Sequence, residues 1–180
     1  MKTVLIVIDM QRGSFSPYQE RYDTDGLISR INMLAEKVRL SGGKVIFIQH
    51  NGPQEDPHHP DAEGWKLLPN LDVSNEDIIV TKTACDSFLN TDLALHLNGI
   101  SAERLIITGC ATDYCVDTTV RSALARGYLT IVPSDGHTTA NRDHLDAVSI
   151  IAHHNSIWAD FISPAGAAKV IPSSQISFDH

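Results

Sequence analysis

Short, almost wholly apolar and β-branched runs alternate along this chain with longer segments of helical period. A strand that is buried on both faces has no polar side, and parallel strands buried in this way need crossover connections, usually helices. Thr3 to Ile8, Val45 to Gln49, Ile78 to Thr81, Leu105 to Thr108, Leu129 to Val132 and Ala168 to Ile171 are such runs. Between the first two, Leu27, Ile31, Leu34, Ala35 and Val38 recur at three- and four-residue steps, which predicts a helix over 25–41 that stops at Gly42-Gly43. Further helices are predicted over 91–97, closed by Asn98-Gly99, over 115–126, closed by Gly127, and over 142–154. The pattern is that of repeated βαβ units, an α/β fold with a mostly parallel sheet covered on both faces.

A chain of 180 residues with 42% hydrophobic content can bury one substantial core, so a single domain over 1–180 is expected. The net charge of -8 argues against a nucleic-acid surface, whose affinity rests on Lys and Arg neutralising phosphates. No apolar run approaches the roughly 20 residues that a bilayer requires. Met1-Lys2 leads straight into a strand without a signal-peptide pattern, and a cytoplasmic location is expected. Cys85, Cys110 and Cys115 are odd in number and lack CxxC spacing, which suggests neither a disulfide framework nor a thiolate zinc site. The polar, Pro- and His-rich stretch 51–70 interrupts the alternation and is expected to lie over the active site, while Pro172 to His180 reads as a polar tail.

Ligands of open parallel sheets bind outside the carboxyl ends of the strands, so polar residues just after buried runs are the first candidates. Asp9, Lys82 and Cys115 stand out. Cys115 lies at the first turn of a predicted helix, where free N–H groups and the helix dipole favour a thiolate and can hold an oxyanion. A carboxylate can take the thiol proton, and a lysine can orient that carboxylate.

Ile8-Asp9-Met10-Gln11, then Lys82 with Ser87-Phe88 and Thr91, then Gly109-x-x-Thr112-x-x-Cys115-Val116 occur in that order. Together they resemble the isochorismatase-like cysteine hydrolases, a group that includes nicotinamidases, N-carbamoylsarcosine amidohydrolases and isochorismatases. The resemblance runs from about residue 3 to about residue 140, and Asp135 and Thr138 resemble a further family segment. It implies a three-layer α/β/α sandwich of Rossmann-like topology with a six-stranded parallel sheet. It also implies Asp9 as general base, Cys115 as nucleophile, Lys82 as the charge-stabilising third member, an oxyanion hole from the N–H groups of Ala111 and Cys115, and a cis Cys110–Ala111 peptide. Homo-oligomers are common in that group and are expected here.

Two departures matter. Gln49-His50-Asn51 stands where nicotinamidases carry an Asp-x-His metal motif, so no metal or other cofactor is expected, although His50, His58 and His59 are imidazoles in the right region. The family's usual start after the first motif is replaced by Arg12-Gly13-Ser14-Phe15. For the substrate pocket the loops and helix starts nominate Phe15, His50, Trp65, Phe88, Thr112 and Tyr114. Cys85 and Cys110 are assigned to structure, and His96, His144, His153 and His154 to exposed helix faces. The expected activity is cysteine-dependent hydrolysis of a C–N bond in a small amide, ureide or carbamoyl compound. Its alternatives are vinyl-ether hydrolysis of the isochorismatase type and an inactive α/β ligand-binding module.

Overall fold

The computed structural model describes residues 1–15 and 20–178. The chain runs through β1 (Thr3–Ile8), the one-turn helix α1 (Arg12–Phe15), α2 (Thr24–Leu40), β2 (Lys44–His50), β3 (Ile78–Lys82), α3 (Leu93–Ile100), β4 (Arg104–Cys110), α4 (Asp117–Ala125), β5 (Leu129–Pro133), β6 (His137–Thr138), α5 (Ala147–Ala159) and β7 (Lys169–Ile171). Seven strands form one sheet, one more than expected; six of them follow the order β3-β2-β1-β4-β5-β7, and every pair is parallel. The two-residue β6, which the sequence pattern did not reveal, pairs with the end of β4.

Alternate residues of the central strands serve two separate cores, as the period of two requires. Val4, Ile6 and Ile8 of β1 pack with Leu93 and Leu97 of α3, Val116, Val120 and Leu124 around α4, and Trp158 of α5. Leu5 and Val7 face the other way, against Leu27, Ile31, Leu34 and Val38 of α2 and Ile176 near the C-terminus. The sheet is therefore the middle of three layers, with α2 on one face and α3, α4 and α5 on the other.

Some boundaries differ from the sequence expectation. Helix α3 runs through Asn98-Gly99 and ends at Ser101, which adopts the left-handed conformation (φ 59°) expected of the glycine. The helix expected over 142–154 begins only at Ala147, capped by Asp146, whose carboxylate accepts a hydrogen bond from Ser149 N–H at 2.7 Å. His144 accordingly precedes the helix. The segment taken as a polar tail is anchored, since Ser173 and Ile176 are buried and Asp135 receives both the N–H and the hydroxyl of Ser173. Among the described residues no helix is long and apolar enough to cross a membrane.

Candidate active site

The strand order reverses direction between β1 and β4: the chain first builds outward through β2 and β3, then returns to the other side of β1. Such a switch point leaves a crevice at the carboxyl ends of the two central strands. Asp9 immediately follows β1, and the turn containing Cys115 follows β4. The two strands approach closely there. A Cβ on Gly109, whose φ is +120°, would lie 2.2 Å from the Ile8 carbonyl oxygen, so only glycine fits. Asp9 itself is left-handed (φ 48°), a conformation that aspartate tolerates better than most residues and that takes the chain out of the sheet at this point.

Lys82, the last residue of β3, has no exposed side-chain surface. Its Nζ donates to Asp9 Oδ2 at 2.7 Å and to Cys115 Sγ at 3.3 Å, so one buried ammonium joins all three groups. Burial pulls the lysine's pKa down, but the Asp9 charge and the hydrogen-bonded contacts with Asp9 and Cys115 more than offset it and the net shift is upward. Cys115 is pushed above the ordinary thiol value, first by burial and then by Asp9, with Lys82 opposing. The resting nucleophile is thus a thiol, not the thiolate that a helix start alone would favour. Asp9 Oδ1 is buried and has no hydrogen-bond partner. A free carboxylate lone pair beside a thiol is where its proton can go.

Cys115 lies in a widened helical turn over Thr112–Val116 that precedes α4. Val116 N–H donates to Ala111 O at 3.1 Å, the five-residue spacing of a π turn, a feature frequent at functional sites. The Cys110–Ala111 peptide at its entrance is cis. Several side chains fix this turn. Arg142 and Thr139 bind the Asp113 carboxylate, and the Arg142 guanidinium lies 5.2 Å from the centre of the Tyr114 ring. Thr112 Oγ1 lies 2.9 Å from His137 Nδ1, and His137 Nε2 lies 3.0 Å from Asn155 Oδ1. Burial, the largest influence, lowers His137 to about 4. The imidazole is therefore neutral near pH 7, donating to Asn155 and accepting from Thr112.

A cavity of about 250 Å³ opens over this centre, lined by Asp9, Ala111, Tyr114 and Cys115, with Cys85, Cys110 and His50 around them. Ser14, Arg21 and His58 complete the wall. His50 is lowered below its ordinary pKa by burial and then by Lys82, and its Nδ1 is buried without a partner. Opposite, Ser14 Oγ lies 2.9 Å from His58 Nε2, and His58 Nδ1 lies 2.8 Å from Asp56 Oδ1.

The model of the isochorismatase domain matches residues 3–156. The chain belongs to the isochorismatase family. Members of this family are hydrolases. The chain is 29% identical over 135 residues to a streptothricin hydrolase of Streptomyces noursei, covering 75% of this chain and 54% of that protein. It thus spans about half the length of that relative. It is 26% identical to the ureidoacrylate amidohydrolase of Methylobacterium radiotolerans, covering 95% of this chain and 81% of the relative. A crystal structure of an isochorismatase family protein superposes with a TM-score of 0.86 at 30% identity, covering 94% of this chain and 97% of that one.

Asp9, Lys82, Cys115, Ala111, His50 and Tyr114 converge as the sequence motifs suggest. The other nominated pocket residues are elsewhere. Phe88 is buried in the core, stacked on Tyr128 and beneath Arg126. Phe15 packs against the core on the α2 side. Trp65 is a bracket for the 51–70 loop. Its indole N–H donates to Asn51 Oδ1, while its carbonyl accepts from Gln11 Nε2 and Gln49 Nε2. Gln49 and Asn51, which replace the metal-binding motif of nicotinamidases, are therefore engaged in holding this loop. Thr112 is fully buried and acts beneath the cavity through His137. Cys85, assigned to structure from sequence, is exposed and lines the cavity. Ser14 and Arg21 were missed because the strand and helix periods say nothing about side chains in an irregular segment. His58 was considered only as a metal ligand.

Proposed function

We propose that this isochorismatase-family hydrolase opens a C–N bond in a small amide, ureide or carbamoyl compound through a thioester on Cys115. The observation that carries the reading is the Lys82 ammonium bridging Asp9 Oδ2 and Cys115 Sγ while Asp9 Oδ1 is left without a partner. Asp9 takes the thiol proton through that free oxygen as Cys115 attacks the carbonyl carbon. Lys82 keeps the carboxylate oriented and offsets the negative charge that develops on sulfur. The carbonyl oxygen becomes an oxyanion, held by the backbone N–H groups of Ala111 and Cys115, both on the cavity wall. Asp9 then returns the proton to the departing nitrogen, and water attacking the thioester regenerates the thiol.

The cavity volume of about 250 Å³ supports a small substrate, below the usual range for drug-sized ligands. The names of two relatives, a ureidoacrylate amidohydrolase and a streptothricin hydrolase, support C–N chemistry. Ammonia release across a panel of small primary amides, ureides and carbamoyl compounds tests the reading. Turnover that vanishes in Cys115→Ala is the expected result. Turnover that persists in this variant would rule out the covalent route.

A further inference from the structure

Arg21 lines the cavity over Cys115. Its Nε donates to the Ser14 carbonyl at 2.9 Å, which fixes the plane of the guanidinium. Its Nη1 is buried and has no hydrogen-bond partner, and among the described residues no carboxylate pairs with it. A guanidinium nitrogen removed from water without a partner is costly, whereas the buried Lys82 ammonium beside the cavity is matched by the Asp9 carboxylate at 2.7 Å. His50, with its own unpartnered Nδ1, lines the same cavity, and burial lowers its pKa towards the neutral form. Arg21 thus presents a guanidinium with an unpartnered nitrogen and no carboxylate against it among the described residues, a donor geometry suited to an oxyanion.

We propose that Arg21 is an anion-binding residue and that the substrate carries a carboxylate, taken by Arg21 while the scissile carbonyl lies over Cys115. One guanidinium balances one negative charge, which favours a carboxylate over a phosphate dianion. This inference rests on the cavity being the substrate site, as the proposed hydrolysis requires. It adds that the compound is an amide- or ureide-bearing acid.

Binding separates this inference from the chemistry. Calorimetry on the Cys115→Ala protein, which cannot form the thioester, is run with oxamate, malonamate, succinamate and glutaramate, each against its methyl ester. At least one acid is expected to bind about 10- to 100-fold tighter than its ester, the range of one hydrogen bond to a charged partner. That preference should collapse in Cys115→Ala/Arg21→Gln. In the wild-type background Arg21→Gln should raise KM for the preferred acid and leave kcat nearly unchanged. If no acid outbinds its ester, or if the preference survives Arg21→Gln, the carboxylate site is refuted. The acid–ester comparison needs no Arg21 variant and so stands even if Arg21→Gln misfolds. Carboxylate-selective binding without turnover of any amide would overturn the hydrolytic reading and leave this one intact.

Discussion

Replacing Lys82 with methionine leaves the Asp9 carboxylate in place and removes the cation that faces it. Asp9 Oδ2 then loses its 2.7 Å partner, while Oδ1 already has none, so a buried carboxylate would stand wholly unpaired. Breaking one side of a buried pair costs about 3–5 kcal/mol. For 180 residues the unfolding entropy is about 0.4 kcal/mol/K, so Tm should fall by about 8–13 °C. Methionine has nearly the length of lysine and leaves little cavity, which keeps the loss electrostatic. In Asp9→Asn/Lys82→Met neither charge remains, and more than half of the lost stability should return. Activity should not return in either variant, with kcat down by about 10³-fold or more. Because Lys82 is held above its ordinary 10.5, its contribution to stability is fully present below that value. It is lost only as pH rises through the elevated pKa, so the wild type's advantage over Lys82→Met should narrow above about pH 10.5 and not before. Calorimetric Tm across pH and steady-state kinetics measure these effects. A Lys82→Met protein whose Tm is within about 2 °C of wild type would refute the reasoning, as would a double variant no more stable than the single.

Three other outcomes follow from the same geometry. His137 is depressed from 6.5 to about 4, so the unfolded chain binds a proton that the folded one refuses in that window; stability should decline from pH 6.5 towards 4 by up to about 3 kcal/mol, and denaturant titrations of His137→Leu should show a shallower decline. Gly109→Ala should cost at least about 3 kcal/mol or abolish folding, because the new methyl would meet the Ile8 carbonyl at 2.2 Å and the φ of +120° suits only glycine; unchanged urea midpoints would contradict this. Asp113→Asn weakens the hold of Arg142 and Thr139 on the turn bearing Cys115, and kcat should fall about 10-fold or more with little change in KM, a split readable from initial rates.

The central strands and α2 were legible from the sequence because burial on both faces writes itself as unbroken apolar runs and a helix writes a 3.6-residue period. Asp9, Lys82 and Cys115 were legible because each follows such a run or sits in a motif of fixed spacing. Ser101 as a helix end was not, since a left-handed serine has no propensity signal to compete with the neighbouring Asn98-Gly99. The two-residue β6 is too short for any period. Residues of the cavity wall posed a different difficulty. Phe88 and Trp65 have the composition of pocket residues, but their positions are decided by tertiary partners, Tyr128 and Arg126 for one and Asn51, Gln11 and Gln49 for the other. Arg21 gained its meaning only when the loop, β4 and the Cys115 turn came together around it.

The central claim is that Cys115 forms the bond to substrate. Rapid-quench mass spectrometry of the intact protein, followed by peptide mapping, during turnover of whichever panel compound releases ammonia fastest tests it most directly. The account predicts a transient adduct equal in mass to the substrate less ammonia, located on Cys115, absent from Cys115→Ala and released as the substrate's acyl hydroxamate, with the Cys115 thiol restored, when hydroxylamine is added. Ammonia release at an undiminished rate from Cys115→Ala, with no adduct on the wild type, would contradict it.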